Sequence, residues 1–324
     1  MPNNATLLLV DKHVVEQLLV PDDVIAAVRE AFELHGQRAG RVFPVVREML
    51  TTGGIFGIKS GDVGSQSLLG FKAAGFWPSN PKVGGEAHQA TVLLFDPATG
   101  RPLCVIDGNA ITTARTAAAG AVGLALLARQ DTAVATVFGT GIQAKAQLAF
   151  ALKTLPSLTH VNYVSVDREP RADFEALFAD RCKLRCVANA DEAVAQSDLV
   201  ITATTGSGPL FDETAIRAGT HVNCVGADTR GKRELPAGVL DRARIVVVDD
   251  LDQARELGEL QWAPQTAAVE MGDLLTGRAK WRRDAADISV FDMTGLALQD
   301  LTVARLIHRR ARDLGLGVTV AWPW

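Results

Sequence analysis

The sequence predicts an α/β protein: a Rossmann-type, doubly wound parallel sheet joined to a separate α+β unit. Three observations carry this. The stretch Thr136-Val137-Phe138-Gly139-Thr140-Gly141-Ile142-Gln143-Ala144-Lys145-Ala146-Gln147-Leu148 runs from apolar strand through a tight glycine turn into a helix. After it, apolar β-like runs alternate with helix-period segments as far as Phe291, the pattern of βαβ units. Before it, residues 41–107 read almost wholly as β, punctuated by Gly, Pro, Asn and Asp.

Taken in order, Thr6 to Val10 reads as a short strand followed by a helix. Pro21-Asp22-Asp23 opens a second helix through about Gln37, with Val24, Ala27, Val28, Phe32 and Leu34 at helical spacing. Strands are predicted at Val42–Leu50, Gly54–Lys59, Leu68–Phe76, Ala90–Asp96 and Leu103–Asp107, with Asp96-Pro97-Ala98-Thr99-Gly100 as a hairpin turn. An alanine-rich helix follows from Ala114 to Ala128. The parallel strands are expected at Ala133–Phe138, His160–Val166, Leu184–Val187, Asp198–Ala203, His221–Val225, Arg244–Val248 and Asp287–Phe291. Helices fit at Ile142–Leu155, Arg171–Asp180, Ala190–Ala195, Glu213–Ile216 and Leu251–Leu257. A last helix, Leu298 to Leu314, runs into Val318-Thr319-Val320-Ala321-Trp322. That tail is too short for a domain and is expected to pack back on the first unit.

The bulk properties narrow the function classes. At 324 residues the chain can bury two cores. A net charge of −4 leaves no electrostatic footprint for nucleic acid or for an anionic membrane. The apolar run between Arg115 and Arg129 is too short to cross a bilayer, and Asp11 and Lys12 arrive too early for a signal peptide. Cys182 and Cys186 stand four apart with no histidine nearby, so they, Cys104 and Cys224 read as small thiols rather than as a metal site or disulfide framework. The expected compartment is the cytoplasm.

In the G-x-G-x-x-A spacing, Gly139 permits the turn, Gly141 lets backbone approach a pyrophosphate and Ala144 lets the helix sit close to its strand. Thr140, Ile142 and Gln143 belong to the same turn. Asp167, near the end of the second strand, suits the adenosine ribose hydroxyls and favours NAD; Arg168 beside it suits a 2′-phosphate and keeps NADP possible. Asp167 fits a helix cap as well. Thr204 and Thr205 follow the fourth strand, at the carboxyl edge where cofactors bind. In the first unit, Lys72 interrupts an apolar strand and is either solvated or functional. Arg115, read as opening its helix, opposes the helix dipole there, so an anion docked beside it would make sense of the position.

At these residues the chain resembles a family. Lys72, Asn80-Pro81, Gly84-Gly85, His88-Gln89, Leu94-Phe95-Asp96, Thr99-Gly100 and Ile111-Thr112 through Arg115-Thr116-Ala117-Ala118 look like the ornithine cyclodeaminase/mu-crystallin family. So do Gly139 to Ala144, Val225-Gly226-Ala227-Asp228, Gly231-Lys232, Glu234-Leu235, Phe291-Asp292 and Thr294-Gly295. The resemblance covers nearly the whole chain. It implies a homodimer of two-domain subunits: residues 1–115, completed by 300–324, as substrate-binding and dimerisation domain, and 116–299 as the dinucleotide domain, with catalysis in the cleft between them. Carried over by position, Arg47, Lys72 and Arg115 would hold a substrate carboxylate. Asp228 would face the amine or imine nitrogen as acid/base, and Thr112, Asp228 and Thr294 would contribute to the cofactor site. Asp228 taken alone could be a turn residue, and His88 either lines the cleft or is structural.

Members of this family exchange a hydride between nicotinamide and an α-amino or α-imino carbon. In ornithine cyclodeaminases a glutamate thirteen residues before the cleft lysine meets the distal amine; here that position is Lys59. Two positive charges about 4 Å apart repel by about 4 kcal/mol at an effective dielectric of 20, so a distal carboxylate is favoured over an ammonium. Lys59-Ser60-Gly61 and Phe76-Trp77-Pro78-Ser79-Asn80 also look like the iminosuccinate reductases of the family. The leading expectation is an NAD(H)-dependent imine reductase making aspartate from iminosuccinate. If Lys59 is merely solvated, alanine dehydrogenase, ketimine reductase and ornithine cyclodeaminase activities stay open, as does a non-enzymatic, mu-crystallin-like binder of small molecules.

Overall fold

The computed structural model describes residues 5–323. They divide into two compact units, one of residues up to Arg115 together with those from Leu296 on, the other Thr116–Gly295. The chain thus returns to the first unit at Leu296 rather than at residue 300.

The first unit opens with β1 (Thr6–Val10), α1 (Lys12–Leu18) and α2 (Pro21–Gly36). Asp11 caps α1 by accepting from the Val14 N–H at 2.9 Å. Pro21 sits in the first turn of α2, followed by Asp22 and Asp23, where the helix dipole favours acids. The β region comprises β2 (Arg41–Val42), β3 (Val46–Met49), β4 (Ile55–Val63), β5 (Leu68–Phe76), β6 (His88–Phe95) and β7 (Pro102–Asp107). The expected single strand from Val42 to Leu50 is therefore two, interrupted around Pro44, which has no N–H to donate. The hairpin turn forms as expected: the Asp96 N–H donates to the Arg101 carbonyl at 2.8 Å, and Gly100 takes a positive φ of 73°.

α3 (Gly108–Leu127) begins earlier than its alanine content suggests. The Asp107 carboxylate accepts from the N–H groups of Asn109 (3.2 Å) and Ala110 (3.4 Å), which fixes the helix start. Arg115 therefore lies about two turns inside the helix, and the dipole argument for its position does not hold. By length and hydropathy α3 would pass for a membrane span, but 72% of its most apolar window is buried, as in the core helix of a globular protein.

The second unit continues with β8 (Val134–Phe138), α4 (Ile142–Thr154), β9 (His160–Val164), α5 (Ala172–Phe178), β10 (Lys183–Cys186), α6 (Ala190–Ala195), β11 (Leu199–Thr202) and β12 (His221–Cys224). Then come α7 (Ala237–Arg242), β13 (Ile245–Val248), α8 (Leu251–Leu257), β14 (Val269–Glu270), α9 (Met271–Leu275) and β15 (Ser289–Asp292). The sheet order is β10-β9-β8-β11-β12-β15-β13-β14, parallel throughout. Alternate residues feed opposite faces. Val137, Leu199 and Ile201 belong to one apolar cluster, Phe138, Val200 and Val222 to the other. This is the doubly wound α/β architecture. β9, β10, β11 and β12 stop one or two residues short of their expected ends, β8 and β13 end where expected and β15 runs one residue further; α7 and α9 have no clear periodic signal in the sequence.

α10 (Ala297–Leu314) and β16 (Val318–Ala321) complete the first unit. Gly315, at a φ of 66°, ends the helix. β16 then pairs antiparallel with β1, so the tail does pack back on the first unit. The first sheet runs β16-β1-β7-β6-β5-β4-β2, with β3 also on β4.

Candidate active site

Strand register decides which side chains of the first unit share a face. Across β3, β4 and β5, Arg47 pairs with Gly57, Gly57 with Ala74, and Lys59 with Lys72; across β5 and β6, Ala74 pairs with Ala90 and Lys72 with Val92. Because side chains alternate along a strand, Arg47, Lys59, Lys72 and His88 all point to one face. α10 covers part of that face. A Cβ on Gly70 would lie 2.9 Å from Leu301 Cδ2, so the glycine makes room for the helix.

The centre of this face is an ion cluster that the sequence reading did not contain. Lys72 (4% exposed) and Arg115 (8% exposed) converge on Asp300, in the first turn of α10 and 1% exposed. Lys72 Nζ donates to Asp300 Oδ1 at 2.9 Å and to Thr112 Oγ1 at 3.3 Å. Arg115 Nε donates to the same Oδ1 at 3.1 Å, and its Nη1 to Gln299 Oε1 at 3.0 Å. Burial pulls the Lys72 ammonium down to about 8 against the partial support of Asp300; Arg115 and Lys59 add to the fall. The Asp300 carboxylate lies below its ordinary range because Lys72 and Arg115 outweigh the cost of its burial. His88 is held below the usual histidine range by burial and by Lys72, with its Nδ1 3.1 Å from Asn109 Oδ1. Lys59 is half-buried, and its charge acts on both Lys72 and Asp300.

In the second unit the expected cofactor residues lie along the carboxyl ends of the strands. Gly139 has a φ of +98°, and a Cβ there would meet the Ala203 carbonyl oxygen at 2.5 Å. A Cβ on Gly141 would meet nothing within 4 Å. Gly141 caps α4 without a side-chain hydrogen bond, so an open cradle faces the first amides of that helix. Thr140, Ile142 and Gln143 line the turn, and Ala144 is fully buried against the sheet. Ile142 (61% exposed) and Val166 (96% exposed) leave aliphatic surface at this edge.

Asp167 lies in a turn past the end of β9 rather than on the strand, and is already engaged. Its Oδ2 accepts from Arg171 Nη2 at 2.6 Å, and the guanidinium holds the carboxyl down to about 2. Arg168 takes a left-handed φ of 64°. Thr204 and the exposed Thr205 follow β11. Thr294 is buried, its hydroxyl donating to Asp249 Oδ1 at 2.7 Å. Asp228 stands in the loop beyond β12, where its Oδ1 accepts from Lys232 Nζ at 2.9 Å and from Thr229 Oγ1 at 3.1 Å.

The first unit thus brings Arg47, Lys59, Lys72, His88, Thr112 and Arg115 together with the unforeseen Asn109, Gln299 and Asp300. The second gathers the cofactor candidates and Asp228. All four cysteines are free thiols, Cys104 and Cys224 buried.

Comparison with known proteins agrees with the fold. Residues 5–315 match the model of the ornithine cyclodeaminase/mu-crystallin family. An iminosuccinate reductase of Paracoccus denitrificans is 32% identical over 97% of this chain and 99% of its own. Its crystal structure in complex with NAD+ superposes with a TM-score of 0.90, covering 98% of this chain and 99% of that one. An alanine dehydrogenase of Archaeoglobus fulgidus is also 32% identical, over 96% of this chain and 97% of its own. A Thermococcus litoralis Δ1-pyrroline-2-carboxylate reductase, in complex with NADH and L-proline, gives a TM-score of 0.89 at 28% identity, covering 97% of this chain and all of that one. With the family model matching residues 5–315, the chain belongs to the ornithine cyclodeaminase/mu-crystallin family.

Proposed function

We propose that the protein is an NAD-dependent oxidoreductase that reduces an α-imino acid to the amino acid, with iminosuccinate, giving aspartate, as substrate. The observation that carries the substrate is the placement of Lys59 directly opposite Lys72. That face gathers the positive charge of Arg47, Lys59, Lys72 and Arg115, with Asp300 as the carboxylate that Lys72 and Arg115 share. A dicarboxylate would offset it better than a monocarboxylate, and a diamine would add to it. A ligand with two carboxylates needs two cationic contacts at different points, and Lys72 and Lys59 supply them.

The reading also rests on relatives: the iminosuccinate reductase, the alanine dehydrogenase and the pyrroline-carboxylate reductase act on imino or amino acids, and solved members hold NAD+ or NADH. The cradle at Gly139 and Gly141 fits a pyrophosphate, because it offers helix N-terminal amides and open space where a side chain would stand. Thr140, Ile142, Gln143 and Ala144 complete that turn. Asp167, with Arg168 beside it, would meet the adenosine ribose, and Thr204, Thr205, Thr112 and Thr294 the rest of the dinucleotide. Bound NADH would supply the hydride that the imine carbon accepts.

This chain's own groups would do the remainder. Arg47, Lys72 and Arg115 would hold the α-carboxylate, Arg115 through its planar fork and Lys72 as a point charge. Lys59 would take the distal carboxylate. As the carbon gains hydride, the C=N π pair moves onto nitrogen, and Asp228 or a water it orients would deliver the proton that completes the amine. A homodimer in the cytoplasm is part of the same reading; one solved relative, an archaeal alanine dehydrogenase, is a dimer, and the thiols are unpaired.

The test is NADH oxidation with oxaloacetate plus ammonia, against pyruvate plus ammonia and a cyclic ketimine. Oxaloacetate should be the fastest, and Lys59→Glu should raise its KM about tenfold or more, the loss of one charge-assisted contact and the gain of a repulsive one. Faster turnover of pyruvate or the ketimine by the unmodified protein would defeat the dicarboxylate assignment.

A further inference from the structure

Behind the loop that carries Asp228 lies a chain of buried carboxylates that the reaction itself does not use. Glu234 is fully buried and accepts two backbone N–H bonds from the ends of adjacent strands. Oε1 accepts from Thr204 at 2.7 Å, beyond β11, and Oε2 from Gly226 at 2.8 Å, beyond β12. Glu259, also fully buried, holds Glu234 in turn: its Oε1 accepts from the Glu234 N–H at 2.7 Å and its Oε2 from Leu235 N–H at 3.2 Å. Asp292, at the end of β15, accepts from the Leu260 N–H at 3.3 Å and so fixes the turn bearing Glu259. Each carboxylate secures the backbone that presents the next.

The same one-turn helix, Glu259–Trp262, grips the middle of the loop. Gln261 Oε1 accepts from Gly231 N–H at 2.8 Å, and Trp262 Nε1 donates to the Lys232 carbonyl at 2.9 Å. Lys232 in turn donates to the Gly226 carbonyl at 3.1 Å and to Asp228 Oδ1 at 2.9 Å. Two glycines make the close approach possible. A Cβ on Gly226 would lie 2.4 Å from Glu234 Oε1, and one on Gly258 would lie 2.5 Å from Asp292 Oδ2.

We infer that Glu234, braced by Glu259, is a positioning residue that sets the Thr204 and Gly226–Asp228 backbones in register for cofactor binding and proton delivery. This rests on the roles proposed above for Thr204 and Asp228. Simple core stabilisation would not need one carboxylate to span two strand ends that both carry proposed site residues. An apolar residue would leave the Thr204 and Gly226 N–H groups without these acceptors, and burying an acid is itself costly unless its oxygens find donors. That cost is visible: burial raises the Glu234 carboxyl, lifts Asp292 to about 7, and, helped by the Asp292 charge, lifts Glu259 to about 8.

The test compares Glu234→Gln, Gly226→Ala and Asp228→Asn in the full-length protein, reading NADH affinity by fluorescence, kcat and imine KM by turnover, and the unfolding midpoint. Glu234→Gln turns one acceptor into a donor facing an N–H. Gly226→Ala displaces the intact carboxylate. Both should raise the NADH Kd about tenfold and lower kcat at saturating NADH by a similar factor, with imine KM changed less than threefold. If Glu234→Gln does not fold, Gly226→Ala carries the test. Unchanged NADH affinity and kcat in these variants, with or without a lower unfolding midpoint, would overturn the inference. Full turnover by Asp228→Asn beside a weakened NADH affinity in Glu234→Gln would fault the role of Asp228 instead, and leave the positioning of Thr204 standing.

Discussion

Asp300→Asn should destabilise the first unit by about 3–5 kcal/mol, because it leaves Lys72 and Arg115 buried together without their shared counter-charge. The lower end of that range is expected, since Lys72 can shed its proton rather than remain a buried cation. The same substitution should alter the pH profile. In the unmodified protein Lys72 is charged below about 8 and neutral above, so kcat/KM for the imine should fall as pH rises through about 8. Asp300 raises the Lys72 pKa, so its neutralisation moves that alkaline limb to lower pH. Chemical denaturation and a kcat/KM profile between pH 6 and 9 check both expectations; an unmoved limb in a folded variant would show that Lys72 does not set it.

Asp228→Asn should leave the fold and NADH affinity near those of the unmodified protein, since the amide oxygen can still accept from Lys232 and Thr229. It should lower kcat about 100- to 10,000-fold, the range for loss of a positioned proton donor or acceptor. Single-turnover measurement with saturating NADH separates this from slow product release. A kcat within threefold of the original would remove Asp228 from the proton-transfer step.

The second unit was legible because its signals are local. Gly139, Gly141 and Ala144 announce the turn within six residues, and apolar strands alternating with helices fix the layer order. The short elements were not legible: α7, α9 and the Glu259–Trp262 turn span one or two turns each, too few residues for a period to emerge. In the first unit the cations were visible one by one, as charges in apolar surroundings. Asp300 was missed because in sequence it is an ordinary acid in the first turn of an amphipathic helix, 228 residues from Lys72. Only folding brings the two to 2.9 Å. Arg115 stands out in the sequence as a lone cation in an alanine-rich helix, but it does not open that helix, because Asp107 caps the helix about two turns earlier. Asp167 illustrates a further limit, since its engagement with Arg171 depends on a turn that the sequence did not specify.

The central claim is hydride transfer from NADH to the Cα of an α-imino dicarboxylic acid. The most direct measurement is to incubate the protein with NADH deuterated at nicotinamide C4, on the transferred face, together with oxaloacetate and ammonia, and to examine the aspartate by proton NMR. Aspartate carrying deuterium at Cα, formed in step with NADH consumed, is the expected result. NADH consumption without aspartate, or aspartate bearing only solvent hydrogen at Cα, would contradict it.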